Sequence, residues 1–177
     1  MKRATSLAVL GTAVLAAGAA AGPATAAHSA QAGASGLDKE YLKTSIEGDR
    51  FEIQGGRLAE QRSTSKVVRA LGARLVKDHS KSLSDAEQLA RQIGVDIPKT
   101  PSPSEQWELG ILRERTGHAF DRGYTSLEVK DHMQDISEAS DEASDGSMAA
   151  VVSDAKTELP MLRKHLRLSR AALKTTR

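Results

Sequence analysis

The sequence predicts an all-α protein, built as a four-helix bundle with one long proline-rich connection. Apolar residues recur at three- and four-residue steps through four long segments, which is the spacing of one helix face. Ala, Leu, Glu, Lys, Arg and Gln dominate these segments and favour helix, whereas β-branched runs with period two are absent. Three prolines between the second and third segments indicate an extended crossover rather than a tight turn.

The first 26 residues have the features of a secretory signal peptide. Lys2 and Arg3 precede an apolar run from Leu7 to Ala20, and Ala24-Thr25-Ala26 supplies the small-x-small pattern of a cleavage site. The run is too short to span a membrane comfortably, so we expect cleavage after Ala26 rather than an anchor. The mature protein is therefore expected to be secreted or extracytoplasmic, within the cell envelope.

Composition argues against several kinds of partner and anchor. The chain has 25 basic and 23 acidic residues, and a leader carrying Lys2 and Arg3 would leave equal numbers of each. No basic cluster with interleaved aromatics is present, so no nucleic-acid partner is expected. There is no cysteine, which excludes a disulfide and a lipoprotein anchor. No later run of 18 apolar residues occurs, so no transmembrane anchor is expected after cleavage.

A short lead-in precedes the predicted helical domain, residues 38–174. Residues 27–37 are small and polar, and we expect them to be flexible. Asp38 is the predicted N-cap of a first helix that ends near Arg62. One face of this helix carries a single charge, Glu52, among small residues that permit close helix approach. These small residues are Ser45, Gly48, Gly55 and Ala59.

The second helix has the clearest apolar periodicity in the chain. It is predicted over residues 66–93, with Gly94 in the C-cap position that favours glycine. Residues 95–104 then form the stiff connection, which contains Pro98, Pro101 and Pro103.

The third helical region and the last helix complete the bundle. The third region is predicted over residues 104–143, with a break or bend at Gly117 and Gly123. The last helix ends near Leu173 and contains Pro160, which removes one backbone hydrogen bond and should kink the helix.

Three histidines lie on or beside the apolar stripes of these helices. The tetrapeptide Val-Lys-Asp-His occurs twice, ending at His79 in the second helix and at His132 in the third region. Leu-Arg-Lys-His ends at His165, which flanks the stripe of the last helix. Imidazoles at or near the core of a bundle either stabilise the core through hydrogen bonds or bind a metal ion or a proton.

Several short motifs occur together in the chain, with the two Asp-His elements on either side of a Phe-Asp-Arg-x-Tyr element. The stretches are residues 51–59, 76–79, 120–124, 130–132, 159–160 and 165–166. Taken together, they resemble an exported bacterial family known as domain of unknown function 4142, and the resemblance extends over about residues 38–174. The resemblance implies a ferritin-like four-helix bundle and an export route, and it implies no activity.

Glu52, His79, His132 and His165 come one from each helix and make a candidate metal site. Carboxylate and imidazole together suit iron, manganese, zinc or copper. Ferritin-like di-metal proteins use Glu-x-x-His pairs, and here the residue three before each histidine is valine or leucine. A di-metal oxidase or storage site is therefore not expected, whereas a mononuclear site stays open. The alternative is a set of buried, hydrogen-bonded histidines, which the sequence favours because polar residues on an apolar face are more often satisfied core groups.

No hydrolase signature is present, since the chain lacks Gly-x-Ser-x-Gly, His-Glu-x-x-His, a phosphate-binding loop and a cysteine nucleophile. We therefore expect a non-catalytic protein of the envelope or the medium, with a structural, binding or stress-related role. Transition-metal binding in the bundle core is the alternative. The last helix is basic, which allows a weak contact with anionic envelope components.

Overall fold

The computed structural model describes residues 33–176. The predicted signal peptide, its cleavage site and the first part of the lead-in lie outside the described residues. The described part contains five α-helices and no strand, which confirms the predicted all-α class. The helices are α1 (Gly36–Arg62), α2 (Lys66–Ile93), α3 (Pro103–Glu114), α4 (Gly117–Asp145) and α5 (Ala149–Thr175).

The four long helices form the predicted bundle from two antiparallel hairpins. Helices α1 and α2 pair along their length, as do α4 and α5, and the two pairs meet through α1 with α4 and α2 with α5. The short helix α3 packs beside α1. Within residues 33–176, no helix has both the length and the hydropathy that crossing a membrane requires.

The core consists of two apolar clusters, one towards each end of the bundle. One cluster includes Leu42 and Ile46 of α1, and the other includes Leu75 of α2 with Phe120 and Tyr124 of α4. Between these clusters, every long helix contributes buried polar side chains. The fold therefore holds a polar layer at mid-height, shielded from solvent by apolar residues above and below.

The start of α1 differs from the sequence prediction, in which Asp38 was the N-cap. Ser35 is the N-cap, and Asp38 is the third helical residue of a capping box with Ser35. The buried Asp38 carboxylate also accepts hydrogen bonds from Ser147 N at 3.0 Å, Ser147 Oγ at 2.6 Å and Met148 N at 2.9 Å. It therefore ties the start of α1 to the α4–α5 turn, more than one hundred residues away in sequence.

Replacing Asp38 with alanine is expected to lower the free energy of unfolding by about 3 kcal/mol, since charge-assisted hydrogen bonds are lost at both ends of this link. Urea denaturation measures the effect. Asp141→Ala, at an exposed position of α4, is the matched control and should stay within about 0.5 kcal/mol of the parent. Equal stabilities for the two variants would show that the link contributes nothing.

The third helical region breaks at Gly117, as predicted, but not at Gly123. The chain leaves helix at Arg115 and Thr116, and Gly117 starts α4 with a φ of 53°. Helix α4 is continuous through Gly123. The Arg115 side chain packs over this glycine, and a Cβ atom there would clash with Arg115 Nη1.

Helix α2 and its C-cap agree with the prediction, with Gly94 left-handed at a φ of 73°. Helix α5 runs through Pro160 without a break.

Candidate functional site

The polar layer brings the three predicted histidines together. His79, His132 and His165 are at most 2% exposed, and their ring centroids lie 5.1–5.6 Å apart. One ring nitrogen of each lies within 4.8 Å of one ring nitrogen of the other two. The sequence placed His165 beside the stripe of the last helix, but it lies on that stripe, in line with Leu162 and Ser169.

Each histidine has one ring nitrogen held by an oxygen acceptor at the edge of the cluster. Nδ1 of His79 is 2.7 Å from Asp49 Oδ1, and Nε2 of His165 is 2.9 Å from Asp78 Oδ2. Nδ1 of His132 is 2.8 Å from the carbonyl oxygen of Glu128, one turn earlier in the same helix. These contacts fix the orientation of the three rings.

His132 has an unsatisfied ring nitrogen inside the cluster. A carbonyl oxygen only accepts, so Nδ1 of His132 donates to Glu128 and Nε2 keeps its lone pair. That Nε2 atom is buried and has no hydrogen-bond partner among residues 33–176. An unpaired buried acceptor of this kind is costly and calls for an explanation.

His79 and His165 meet nitrogen to nitrogen, with Nε2 of His79 3.3 Å from Nδ1 of His165. If Asp49 and Asp78 each accept a proton from their histidine, two lone pairs face each other across this distance. One additional proton relieves the repulsion by completing a hydrogen-bonded chain from Asp49 to Asp78. A cation bound by both nitrogens relieves it equally well.

The environment keeps the imidazoles neutral. Burial lowers the pKa of His79 and of His165 to about 4, and that of His132 to about 3, from an ordinary value of 6.5. Neutral imidazole is the form that binds a metal ion. Burial raises the pKa of Asp49, so an additional proton is accommodated between Asp49 and His79.

The fourth predicted residue, Glu52, lies next to the three histidines in a separate group. Its Oε1 is 3.4 Å from Nδ1 of His132, the nitrogen that donates to Glu128, and Glu128 Oε2 is 3.8 Å from the same nitrogen. Glu52 and Glu128 are fully buried, and they form a second possible ligand group with His132. Glu52 also belongs to a third group, with Asp131 and Asp135.

Sequence reasoning missed Asp49 and the side chain of Glu128. Asp49 precedes Glu52 by three residues and therefore lies on the same face of α1. Glu128 precedes His132 by four residues, which is the spacing of one helical turn. These spacings are the sequence signal that could have assigned both side chains to the site.

A small cavity of about 30 Å³ reaches the cluster beside His79. Its volume is about that of one water molecule. Four carboxylates line it, and no lysine or arginine does: Asp49, Asp135, Glu138 and Glu158. An acidic lining of this kind favours cations or protons over anions next to His79.

Comparison with known proteins gives a structural neighbour for the fold and a family for the sequence. A crystal structure of a DUF305 fragment from Deinococcus radiodurans is similar, with a TM-score of 0.72 at 13% sequence identity, covering 81% of this chain and 99% of that one. The likeness confirms the predicted helical-bundle fold and, at this identity, carries only the fold. A search of curated proteins finds no match. The family model described as a domain of unknown function (DUF4142) matches residues 23–171, so the protein belongs to that family.

Proposed function

We propose that this protein binds a divalent transition-metal ion through Nε2 of His79, Nε2 of His132 and Nδ1 of His165. The observation that carries the proposal is the unpartnered, buried Nε2 of His132 beside the close nitrogen pair of His79 and His165. Structural histidines of a core usually have both nitrogens satisfied. Here three nitrogens remain available in one small volume.

The spacing of the nitrogens suits an ion. Metal–nitrogen bonds of about 2.0–2.1 Å in tetrahedral geometry separate two ligand nitrogens by about 3.3–3.4 Å. The observed distance from Nε2 of His79 to Nδ1 of His165 is 3.3 Å. A ring nitrogen of His132 lies within 4.8 Å of both, and a small rotation of its ring would bring it to the same ion. Three neutral imidazoles favour zinc, copper or iron over manganese, which prefers oxygen ligands.

The acceptors outside the three rings support the same proposal. Metal-bound histidines usually donate their other ring N–H group to a carboxylate or carbonyl, which fixes the tautomer and raises the basicity of the ligand nitrogen. Asp49, Asp78 and the Glu128 carbonyl stand in these positions. The competing hypothesis is a metal-free hydrogen-bonded core that carries one additional proton between Asp49 and Asp78.

The role that follows is metal binding outside the cytoplasmic membrane, rather than catalysis. The export part of this proposal rests on the signal-peptide features of residues 1–26. N-terminal sequencing of the exported protein should give Ala27 as the first residue; a retained Met1 would contradict export. The structural and stress-related roles expected from the sequence apply if the histidines bind no metal.

Calorimetry of the untagged protein tests metal binding against the hydrogen-bonded core. Zn²⁺, Cu²⁺ and Fe²⁺ are each titrated in two buffers of different ionisation enthalpy. We expect one ion per chain for at least one metal, with proton release as the ion displaces the additional proton. At a free metal concentration 1,000 times the Kd, the stabilisation should be about 4 kcal/mol.

Four variants make the test specific. His79→Ala and His165→Ala should lose the stoichiometric ion and its stabilisation, whereas the exposed His118→Ala should retain both. Asp49→Asn should weaken binding by about 10–100-fold, because it disturbs the orientation of His79. Absence of stoichiometric binding, or binding that survives in folded His165→Ala, would support the hydrogen-bonded core instead.

A further inference from the structure

A second group of side chains, the carboxylate cluster, lies beside the histidines and has no part in the three-nitrogen site; two of its members are fully buried and two are half-buried. It consists of Glu52 of α1 with Glu128, Asp131 and Asp135 of α4. Both oxygens of Glu52, both oxygens of Glu128 and Oδ2 of Asp131 are buried without a hydrogen-bond partner among the described residues. The helical spacing of Glu128, Asp131 and Asp135 places them on one face of α4, opposite Glu52.

The carboxylate cluster has no protein counter-charge. Within residues 33–176, no lysine or arginine forms an ion pair with any of its four members, and the adjacent imidazole, His132, uses its Nδ1 proton on the Glu128 carbonyl oxygen. A buried carboxylate without a cation or proton is expensive. The cluster therefore needs bound protons or a bound cation.

Tyr124 gives a second observation at the same place. Its hydroxyl is buried and has no hydrogen-bond partner that meets the distance and angle criteria among the described residues. Gly55 of α1 faces both side chains, since a Cβ there would lie 3.5 Å from Glu128 Oε1 and from Tyr124 Cε2. The unpartnered oxygens of Glu128 and Tyr124 thus lie on the same side of α4, facing Gly55.

We propose that Glu52, Asp131 and Asp135, with the Glu128 carboxylate beside Glu52, bind a second divalent cation, of the class that prefers oxygen ligands, separately from the three-histidine site. Carboxylate oxygens suit Mn²⁺, Mg²⁺ and Ca²⁺, whereas imidazole suits the softer ions. Glu52 belongs to both ligand groups of this region and connects α1 to α4 through the ion. The bound charge replaces the missing protein counter-charge. This inference goes beyond the proposed function and does not require an occupied histidine site.

Mn²⁺ binding, followed by electron paramagnetic resonance, tests the second site. The untagged protein first receives one equivalent of Zn²⁺, and Mn²⁺ is then added while the signal of the free aqueous ion is measured. We expect one Mn²⁺ per chain in addition to the zinc. Glu128→Gln and Asp131→Asn should weaken Mn²⁺ binding at least about tenfold and keep the zinc stoichiometry. The exposed Asp141→Asn is the control and should bind Mn²⁺ like the parent.

The possible outcomes separate this inference from the proposed function. Zinc binding without Mn²⁺ binding, or unchanged Mn²⁺ binding in either folded carboxylate variant, overturns the second site and leaves the histidine site standing. Mn²⁺ binding that survives in His165→Ala, together with loss of zinc, supports the second site independently. Because each carboxylate variant is isosteric and replaces an acid with a neutral amide, both are expected to fold like the parent.

Discussion

Replacing Gly72 with alanine is expected to lower the free energy of unfolding by about 3 kcal/mol. Helices α1 and α2 approach most closely where Gly56 and Gly72 face each other. A Cβ atom at Gly72 would lie 2.6 Å from the carbonyl oxygen of Gly56 and 2.8 Å from the Cβ atom of Ala59. Because the first of these neighbours is backbone, the helices have to separate, which costs more than the propensity gained by alanine.

Gly110→Ala is the matched control for this contact. Gly110 lies inside α3, and a Cβ there would meet nothing within 4 Å. Alanine at this position should stabilise the protein by about 0.5–1 kcal/mol through helix propensity alone. Urea denaturation of both variants measures the difference. If Gly72→Ala were as stable as Gly110→Ala, close packing of α1 on α2 would not contribute to the bundle.

The Gly56–Gly72 contact also shows why part of the fold was predictable from sequence and part was not. The bounds of α2 depend on local signals, such as the left-handed Gly94, and these were identified. Close helix approach was expected at the face containing Gly48 and Gly55. The contact instead uses Gly56, because the rotation of a helix about its axis depends on its partners.

The candidate site likewise contains residues that were predictable from the sequence and residues that were not. His79 and His132 were found because they fall on apolar stripes, which indicate burial whatever the partner helix. Asp49 and the Glu128 side chain were not assigned to the site, since their role depends on the height at which four helices align. Glu52 was expected as a ligand beside the histidines; its carboxylate lies next to His132, 3.4 Å from Nδ1, and also groups with the carboxylates of α4.

Between pH 6.5 and pH 8, the metal-free protein is expected to become less stable as the pH rises. Burial raises the pKa of Glu128 to about 8 from 4.5, and that of Asp131 to about 7 from 3.8. The folded state therefore holds protons that the unfolded state has already released, and this contribution is lost as the pH rises through the folded-state values. Each such proton changes the free energy of unfolding by about 1.4 kcal/mol per pH unit.

The histidines act in the opposite direction, but at lower pH. Burial depresses the pKa of His79 and of His165 to about 4, so their contribution is complete above about pH 7.5, where the unfolded histidines are neutral too, and is lost on acidification towards pH 4. Above about pH 7.5 the carboxylates whose pKa burial raises determine the slope. These include Glu142 and Glu158, with pKa values raised to about 7, so the Glu128 variant is needed to assign the share of the carboxylate cluster.

Thermal and urea unfolding of the metal-free protein across this window measure the slope. Glu128→Gln should flatten the decline, whereas the exposed Glu114→Gln should leave it unchanged. Excess Zn²⁺ should reverse the decline, because metal binding that releases a proton becomes tighter as the pH rises. A stability that climbs from pH 6.5 to pH 8 without metal would mean that these carboxylates are already ionised and compensated in the folded protein. The sign of one slope therefore tells whether the buried acids retain protons when no cation is bound.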